Sequence, residues 1–266
     1  MSEPIRRRGR PRSAKDTGGT VQVLDRALDI LDLLAAHPGL TLSEVADRIG
    51  QSPSTVHRLL HSLAARGMVE SDPATQAWNI GPATFRLGSA FMRRSGIVER
   101  ARPILHALMK HTGETANLGI LNGDAVLFVS QAETHETIRA FFPPGTRSPL
   151  HASGIGKALL AFGRPETLQA YLDSASLAGF TDKTLVTPDA LTQDMARIRS
   201  RGFSFDDEER TRGMRCIAAP VFDLTGEAIA GVSVSGPTHR IGHEHVKTLG
   251  AVVAAAAAEL SHAMGG

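Results

Sequence analysis

Ser233 and Ser235 stand two residues apart in the apolar run Val232-Ser233-Val234-Ser235. On a strand, alternate side chains share a face, so the two hydroxyls point together while Val232 and Val234 point away. Buried hydroxyls need partners, and a polar ligand can supply them. A second stretch, Ser153-Gly154-Ile155-Gly156-Lys157, has the composition of a helix start. Free N–H groups and the positive end of the helix dipole favour an anion there, and glycine leaves the backbone unshielded. A small carboxylate is the expected guest. A phosphate-binding loop ending at Gly156-Lys157 would need glycine at 151 and Ser or Thr at 158, but His151 and Ala158 occupy those places.

Cys216 and Asp206 are the other polar candidates on this half of the chain. Cys216 is expected on a strand adjacent to the serines. Asp206 would repel an anion unless it accepts a hydrogen bond from a hydroxyl, as a hydrated aldehyde offers, or supports the site from behind. A nucleophilic role for Cys216, as in a hydrolase, needs a histidine base within reach, and no local motif supplies one. Residue types alone also allow a small buried cysteine, serines bonded to backbone and a solvated acidic run.

A different chemistry resides in Thr41–Val69. Ser52 followed by Pro53 is a helix start, with the cap before the proline. The outer face of that helix shows Ser54, Thr55, His57, Arg58 and His61, and no acidic residue occurs from Gln51 to Val69. Polar side chains for base edges, an arginine for guanine or phosphate, and no carboxylate are what a helix in the major groove requires. His57 and His61 have metal-ligand spacing, but no third ligand lies nearby; no metal or other cofactor is expected. Near the N-terminus, Arg8-Gly9-Arg10-Pro11 resembles an AT-hook core. Arg8 and Arg10 would enter a narrow A·T minor groove, or the arm would touch only phosphates.

Elements must hold these groups in place. Length predicts two unequal domains, and six basic residues within the first twenty, against Glu3 and Asp16, concentrate positive charge in a tail. One cysteine excludes an internal disulfide, and no apolar run is long enough for a bilayer. A cytoplasmic protein with no membrane partner is expected. Residues 1–19 form a basic arm expected to be disordered. Residues 20–82 read as a winged helix-turn-helix. A helix over Val21–Ala36, capped by Thr20, carries Leu24, Ala27, Leu28, Leu31 and Leu34 at helical spacing. A capping box, Thr41 with Glu44, opens the next helix, and Met68–Glu70 and Ala77–Ile80 form the wing. This unit holds four basic and seven acidic residues, so pairing and the arm must add to its grip.

Residues 83–96 read as a linker helix packed on a partner subunit. Residues 97–266 read as an α+β effector-binding domain with an antiparallel sheet. Strands are predicted over Thr115–Leu121, Ala125–Gln131, Ile138–Phe142, Phe203–Asp206, Ile217–Phe222 and Ala228–Ser235. Asn122-Gly123 is a hairpin turn between the first two. Helices are predicted at Ile155–Phe162, Pro165–Ser174, Pro188–Arg201 and Gly242–Met264. His239, His243 and His245 read as surface histidines.

Several stretches together resemble the IclR family of transcriptional regulators: the VLDRALDILDLL start, the helix-turn-helix, Gly202-Phe203 with Asp206–Glu209, Gly213–Pro220 and Val232–Pro237. The resemblance runs from Val21 to Met264. It implies a winged helix-turn-helix, a linker helix and a GAF- or profilin-like effector domain, in dimers that commonly pair into tetramers. It implies a promoter-DNA partner and no enzyme activity. Within the family the chain is similar to the glyoxylate-responsive branch of allantoin repressors and regulators of the β-hydroxyaspartate route. The positions matching that branch's ligand pocket are Ser153, Gly154, Ile155, Asp206, Cys216, Ser233, Val234 and Ser235. Ile155 stands where alanine is expected, which implies a narrower pocket. Glyoxylate is the implied effector; another small organic or aromatic acid is the alternative.

Overall fold

The computed structural model describes residues 21–174 and 176–265. The arm with Arg8 and Arg10 lies outside them, as does Thr20. The chain divides into two compact units between Arg94 and Ser95.

The first unit runs α1 (Gln22–Ala36), α2 (Leu42–Arg48), α3 (Pro53–Ala64), β1 (Val69–Ser71), β2 (Trp78–Ile80) and α4 (Pro82–Ser95). The capping box forms: the Thr41 N–H donates to Glu44 Oε2 at 2.8 Å, and the Glu44 N–H donates to Thr41 Oγ1 at 3.4 Å. Ser52 accepts from the Thr55 N–H at 3.3 Å, with Pro53 at the first helical position. Antiparallel β1 and β2 make the wing, and Trp78 bridges back to Leu40. Ile30, Leu34, Val45, Val56, Leu60, Val69 and Trp78 form the core.

The predicted stripe on α1 needs correction. Leu34 is buried together with Ile30, whereas Leu24 and Leu28 are exposed. The helix is apolar on more than one face, and its buried residues both lie in its C-terminal half. Periodicity marks apolar positions without saying how far the neighbouring elements extend along the helix. On α4, Phe85 and Leu87 are also exposed.

The second unit begins with α5 (Ile97–Thr112), which runs through Pro103, then β3 (Thr115–Asn122), β4 (Ala125–Ala132) and β5 (Arg147–Pro149). It continues with α6 (Gly154–Phe162), α7 (Pro165–Ser174), α8 (Pro188–Arg201), β6 (Ser204–Asp207), β7 (Met214–Phe222), β8 (Ala228–Pro237) and α9 (Val246–Ala263). The strands form one six-stranded sheet in the order β5-β4-β3-β8-β7-β6, with every pairing antiparallel. The α+β expectation agrees with this. Helices α5 and α9 pack together against the sheet; α6 lies against β7 and β8, with α7 and α8 packed on it.

The predicted strand over 138–142 does not form. The fifth strand comes later, at Arg147–Pro149. Pro143 and Pro144 have no N–H to give a ladder, so pairing with β4 starts only beyond them. Phe142 instead stacks on Phe128, ring centroids 4.9 Å apart. The closing helix is also shorter than predicted: a single 3-10 turn, His243–His245, precedes α9.

Gly119 on β3 faces Gly231 on β8, and Ile155 fills the space above both. A Cβ on Gly231 would stand 2.7 Å from Ile155 Cγ2. This contact seats α6 on the sheet, and α6 brings its N-terminus to the polar residues described next.

Candidate functional site

In the first unit, α3 presents Ser54, His57, Arg58 and His61 as exposed side chains, and Thr55 is half-buried. Ser52 is exposed too, but its hydroxyl serves as the helix cap and lies 2.9 Å from Thr55 Oγ1. The His57 and His61 rings lie 4.2 Å apart, and His61 meets the edge of Trp78 at 5.9 Å. The predicted face is therefore a single surface of one helix, anchored by the buried Val56 and Leu60 behind it.

In the second unit, strand register assembles a polar face. Asp206 on β6 pairs with Cys216 on β7, Cys216 with Ser235 on β8, and Ser235 with Thr115 on β3. One step along, Ser204, Ala218, Ser233, Asn117 and Gln131 form a parallel row across five strands. Residues directly opposite in an antiparallel pair share a face, so both rows look the same way. That way is toward α6, because a Cβ on Gly154 would lie 2.7 Å from Cys216 Sγ.

Most of this face is buried, and Cys216 and Gln131 are half-buried residues at its margin. Asn117 Nδ2 donates to Ser233 Oγ and Ser235 Oγ, each at 3.4 Å, and Gln131 Nε2 donates to Asn117 Oδ1 at 3.1 Å. Ser204 Oγ donates to the Gly154 carbonyl at 2.5 Å and fixes the start of α6 above β6. Ser153 caps α6, accepting from the Gly156 N–H at 3.4 Å. The N–H groups of Gly154 and Ile155 fall in the first turn, where the helix offers no acceptor.

Of the eight predicted ligand positions, Ser153, Gly154, Asp206, Cys216, Ser233 and Ser235 converge here. Ile155 brings its backbone, while its side chain is spent on Gly119 and Gly231. Val234 does not reach the face. Its side chain points to the opposite side of the sheet, and its backbone is committed to β3 and β7, opposite Ala116 and Ile217. Thr115, Asn117, Gln131 and Ser204 were not among the predicted residues. A signal existed: Thr115 and Asn117 repeat the i, i+2 polar spacing of Ser233 and Ser235 within an apolar strand.

Lys157 has a role that its place in the glycine-rich stretch does not suggest. It is 0% exposed, and its ammonium donates to Asp194 Oδ2 at 2.9 Å, the Phe205 carbonyl at 2.7 Å and Glu209 Oε1 at 2.6 Å. Those partners use all three of its donors, so Lys157 is not available to a ligand. Burial disfavours its charge, but the Glu209, Asp194 and Asp206 carboxylates outweigh that and hold its pKa above the usual range. Burial in turn pushes Asp206 up to about 6 and Glu209 up to about 7, with Lys157 opposing both shifts. Asp206 Oδ1 also accepts from the Glu209 N–H at 2.8 Å. Three carboxylates thus surround one ammonium at the edge of the polar face, with Asp206 belonging to both.

This cluster has a pH consequence with a definite sign. Glu209 has a folded pKa above its ordinary 4.5, so the fold favours its protonated form. The stabilisation is complete below about 4.5 and is lost as pH rises through about 7. Glu209→Gln keeps the neutral form at every pH. Relative to the variant, the native chain should lose on the order of 2 kcal/mol between pH 4.5 and 7.5, measured by urea denaturation across that range. Asp207, which burial would raise but Arg215 and Lys183 hold low, occurs in both proteins and cancels, whereas Asp206 titrates together with Glu209, so the difference belongs to the pair. A pH-independent difference would refute the assignment.

Burial pushes the Cys216 thiol up to about 11, and the Asp206 charge adds to the shift. At neutral pH it is a thiol facing the Ser233 and Ser235 hydroxyls, able to act as a weak hydrogen-bonding group. His243 Nε2 lies 2.6 Å from Arg215 Nη2. Among the described residues no group of three histidine, cysteine or acidic side chains could hold a metal. Nor is any described helix long and apolar enough to cross a membrane.

A helix-turn-helix with a wing in one unit, and a donor-rich polar face under a helix N-terminus in the other, define a ligand-responsive DNA-binding regulator. The chain belongs to the IclR family of bacterial transcriptional regulators: residues 23–73 match the IclR helix-turn-helix domain and residues 89–262 the IclR C-terminal domain. It is 64% identical over 270 residues to the HTH-type transcriptional regulator BhcR of Paracoccus denitrificans, covering 99% of this chain and 96% of that one. It is 36% identical over 263 residues to the HTH-type transcriptional repressor AllR of Salmonella typhi, covering 98% and 97%. The crystal structure of the Thermotoga maritima IclR matches with a TM-score of 0.76 at 29% identity, covering 93% of this chain and 100% of that one.

Proposed function

We propose that this protein senses a small 2-oxo acid, with glyoxylate as the favoured effector, and controls genes for that acid's metabolism. The observation that carries the reading is the convergence of Ser233, Ser235, Cys216 and the Gly154 and Ile155 N–H groups on one face under the α6 N-terminus. These groups are hydrogen-bond donors, and a carboxylate accepts from several at once. Asp206 is the exception. An aldehyde hydrate has hydroxyls that can donate to it, which suits glyoxylate better than a plain carboxylic acid. The sequence resemblance to the glyoxylate-responsive branch supports the same effector.

On the DNA side, Ser54, Thr55, His57, Arg58 and His61 would meet the major groove, Ser52 would hold the helix start, and Arg8 and Arg10 would extend the grip. The acidic balance of this unit calls for at least two copies, a homodimer or a pair of dimers joined through residues 83–96. Effector would act by favouring one arrangement of the paired DNA-binding units over another.

A gel-shift titration with glyoxylate and pyruvate on the full chain tests the effector class. Promoter binding that neither acid changes would remove 2-oxo acids and leave another organic or aromatic acid to be sought. Arg58→Ala should weaken promoter binding roughly 5- to 150-fold and leave glyoxylate affinity, read by calorimetry, unchanged. Loss of both together would overturn the division of labour between the two units.

A further inference from the structure

We infer that Asn117, held by Gln131, sets the direction of the Ser233 and Ser235 hydrogen bonds, making both hydroxyls donors toward the effector. This rests on the effector site proposed above and adds to it two positioning residues and a rule of ligand selection.

A primary amide has a donor end and an acceptor end, and which end faces a neighbour decides what that neighbour can do. Gln131 Nε2 approaches Asn117 Oδ1 at 3.1 Å, which turns the Asn117 nitrogen toward the serines. That nitrogen carries two protons and has two acceptors, Ser233 Oγ and Ser235 Oγ, both at 3.4 Å. A hydroxyl that accepts on its lone pairs still has its own proton to give. Each serine oxygen accepts from Asn117 on one of its two lone pairs, and its proton remains to be given to the neighbouring Cys216 sulfur or to an acceptor above. Thr115 Oγ1, buried and opposite Ser235, has no hydrogen-bond partner among the described residues, so this end of the face still has polar capacity to satisfy.

The chain of donation therefore runs from Gln131 to Asn117, from Asn117 to the serines, and from the serines to the ligand. Asn117 is fully buried, and its contacts with Gln131 on one side and the two serines on the other leave the amide few alternative orientations. A ligand oxygen with lone pairs fits such a site. A ligand that presents N–H groups at the same place can use only the one lone pair left on each serine oxygen and forgoes both hydroxyl protons. The site should thus prefer a carboxylate over its amide counterpart beyond what charge alone gives.

Two arms test this on the full chain. Without ligand, the side-chain amide of 15N-labelled Asn117, assigned by its loss in Asn117→Leu, should exchange slowly with solvent. Its proton shifts should move in a Ser233→Ala/Ser235→Ala protein. An Asn117 amide signal indifferent to loss of both hydroxyls overturns the inference, whatever the effector proves to be. With ligand, Asn117→Leu should weaken glyoxylate binding roughly 10- to 100-fold, the weakening expected when two serine hydroxyls no longer present their protons to the ligand. It should also reduce the shift of the 13C-edited carboxylate band of bound glyoxylate, which a purely structural role would leave in place. Gln131→Met, at a half-buried position, covers the case in which Asn117→Leu does not fold, and should weaken binding severalfold with the same loss of band shift. Native affinity and an unchanged band in these variants would overturn the relay. Failure of the native chain to bind glyoxylate would count against the proposed effector alone, and the ligand-free arm would still decide the relay.

Discussion

Lys157→Met is expected to destabilise the effector unit by about 3–5 kcal/mol, the cost of removing one partner from a buried ion pair. The native ammonium is fully enclosed, and it is the common partner of Asp194 and Glu209 and a neighbour of Asp206. Methionine fills a similar volume, so the loss reports electrostatics more than a cavity. Without the ammonium, three carboxylates face each other in a site with little access to water. Urea denaturation at pH 7.5, followed by circular dichroism, measures the loss. It should shrink at pH 5, where the orphaned carboxylates take up protons. Adding Glu209→Gln and Asp194→Asn to Lys157→Met should restore part of it, since neutral amides can bond to one another. A loss below about 1 kcal/mol, as for an exposed pair, would show that Lys157 is not the keystone that its burial and bonding indicate.

Gly156→Ala is expected to cost about 3 kcal/mol of stability and to weaken effector binding with it. A Cβ at this position would stand 2.4 Å from the Leu150 carbonyl oxygen, 2.5 Å from Leu150 Cα and 2.8 Å from its carbonyl carbon. All three atoms are backbone, so no side-chain rotation relieves the contact. The first turn of α6 must move instead, and that turn places Gly154 against Cys216 and directs Lys157 to its carboxylates. Both readouts should therefore change together: a lower denaturation midpoint and weaker glyoxylate binding by calorimetry. A stable variant with native affinity would mean that α6 can shift along the sheet without disturbing the site.

Local signals in the sequence were the readable ones. The capping box at Thr41 and Glu44, the Ser52-Pro53 helix start and the Asn122-Gly123 hairpin each depend on a few neighbouring residues, and each appears in the structure as expected. The 138–142 run resembles a strand in its apolar character alone, whether or not its successors can donate to a ladder, and the strand forms instead at Arg147–Pro149. On α1, the apolar positions were legible but not which of them the neighbouring elements would cover.

The candidate site divides along the same line. Ser233 and Ser235 were legible because strand alternation alone puts two hydroxyls on one face. That Asn117 lies under them, more than a hundred positions away, follows only from the pairing of β3 with β8. Lys157 makes the contrast sharper: next to Gly156 it suggests an anion site, yet the tertiary structure turns it inward to Asp194 and Glu209. By itself the sequence determined the helix-turn-helix, its caps and the alternation that puts Ser233 and Ser235 on one face, since caps, turns and periodicity act over a few residues; the class of protein was legible only from the likeness of longer stretches to a known family. The tertiary structure decided which polar groups meet and which are satisfied by one another. Those outcomes depend on strand register and burial, which arise only when distant segments pack.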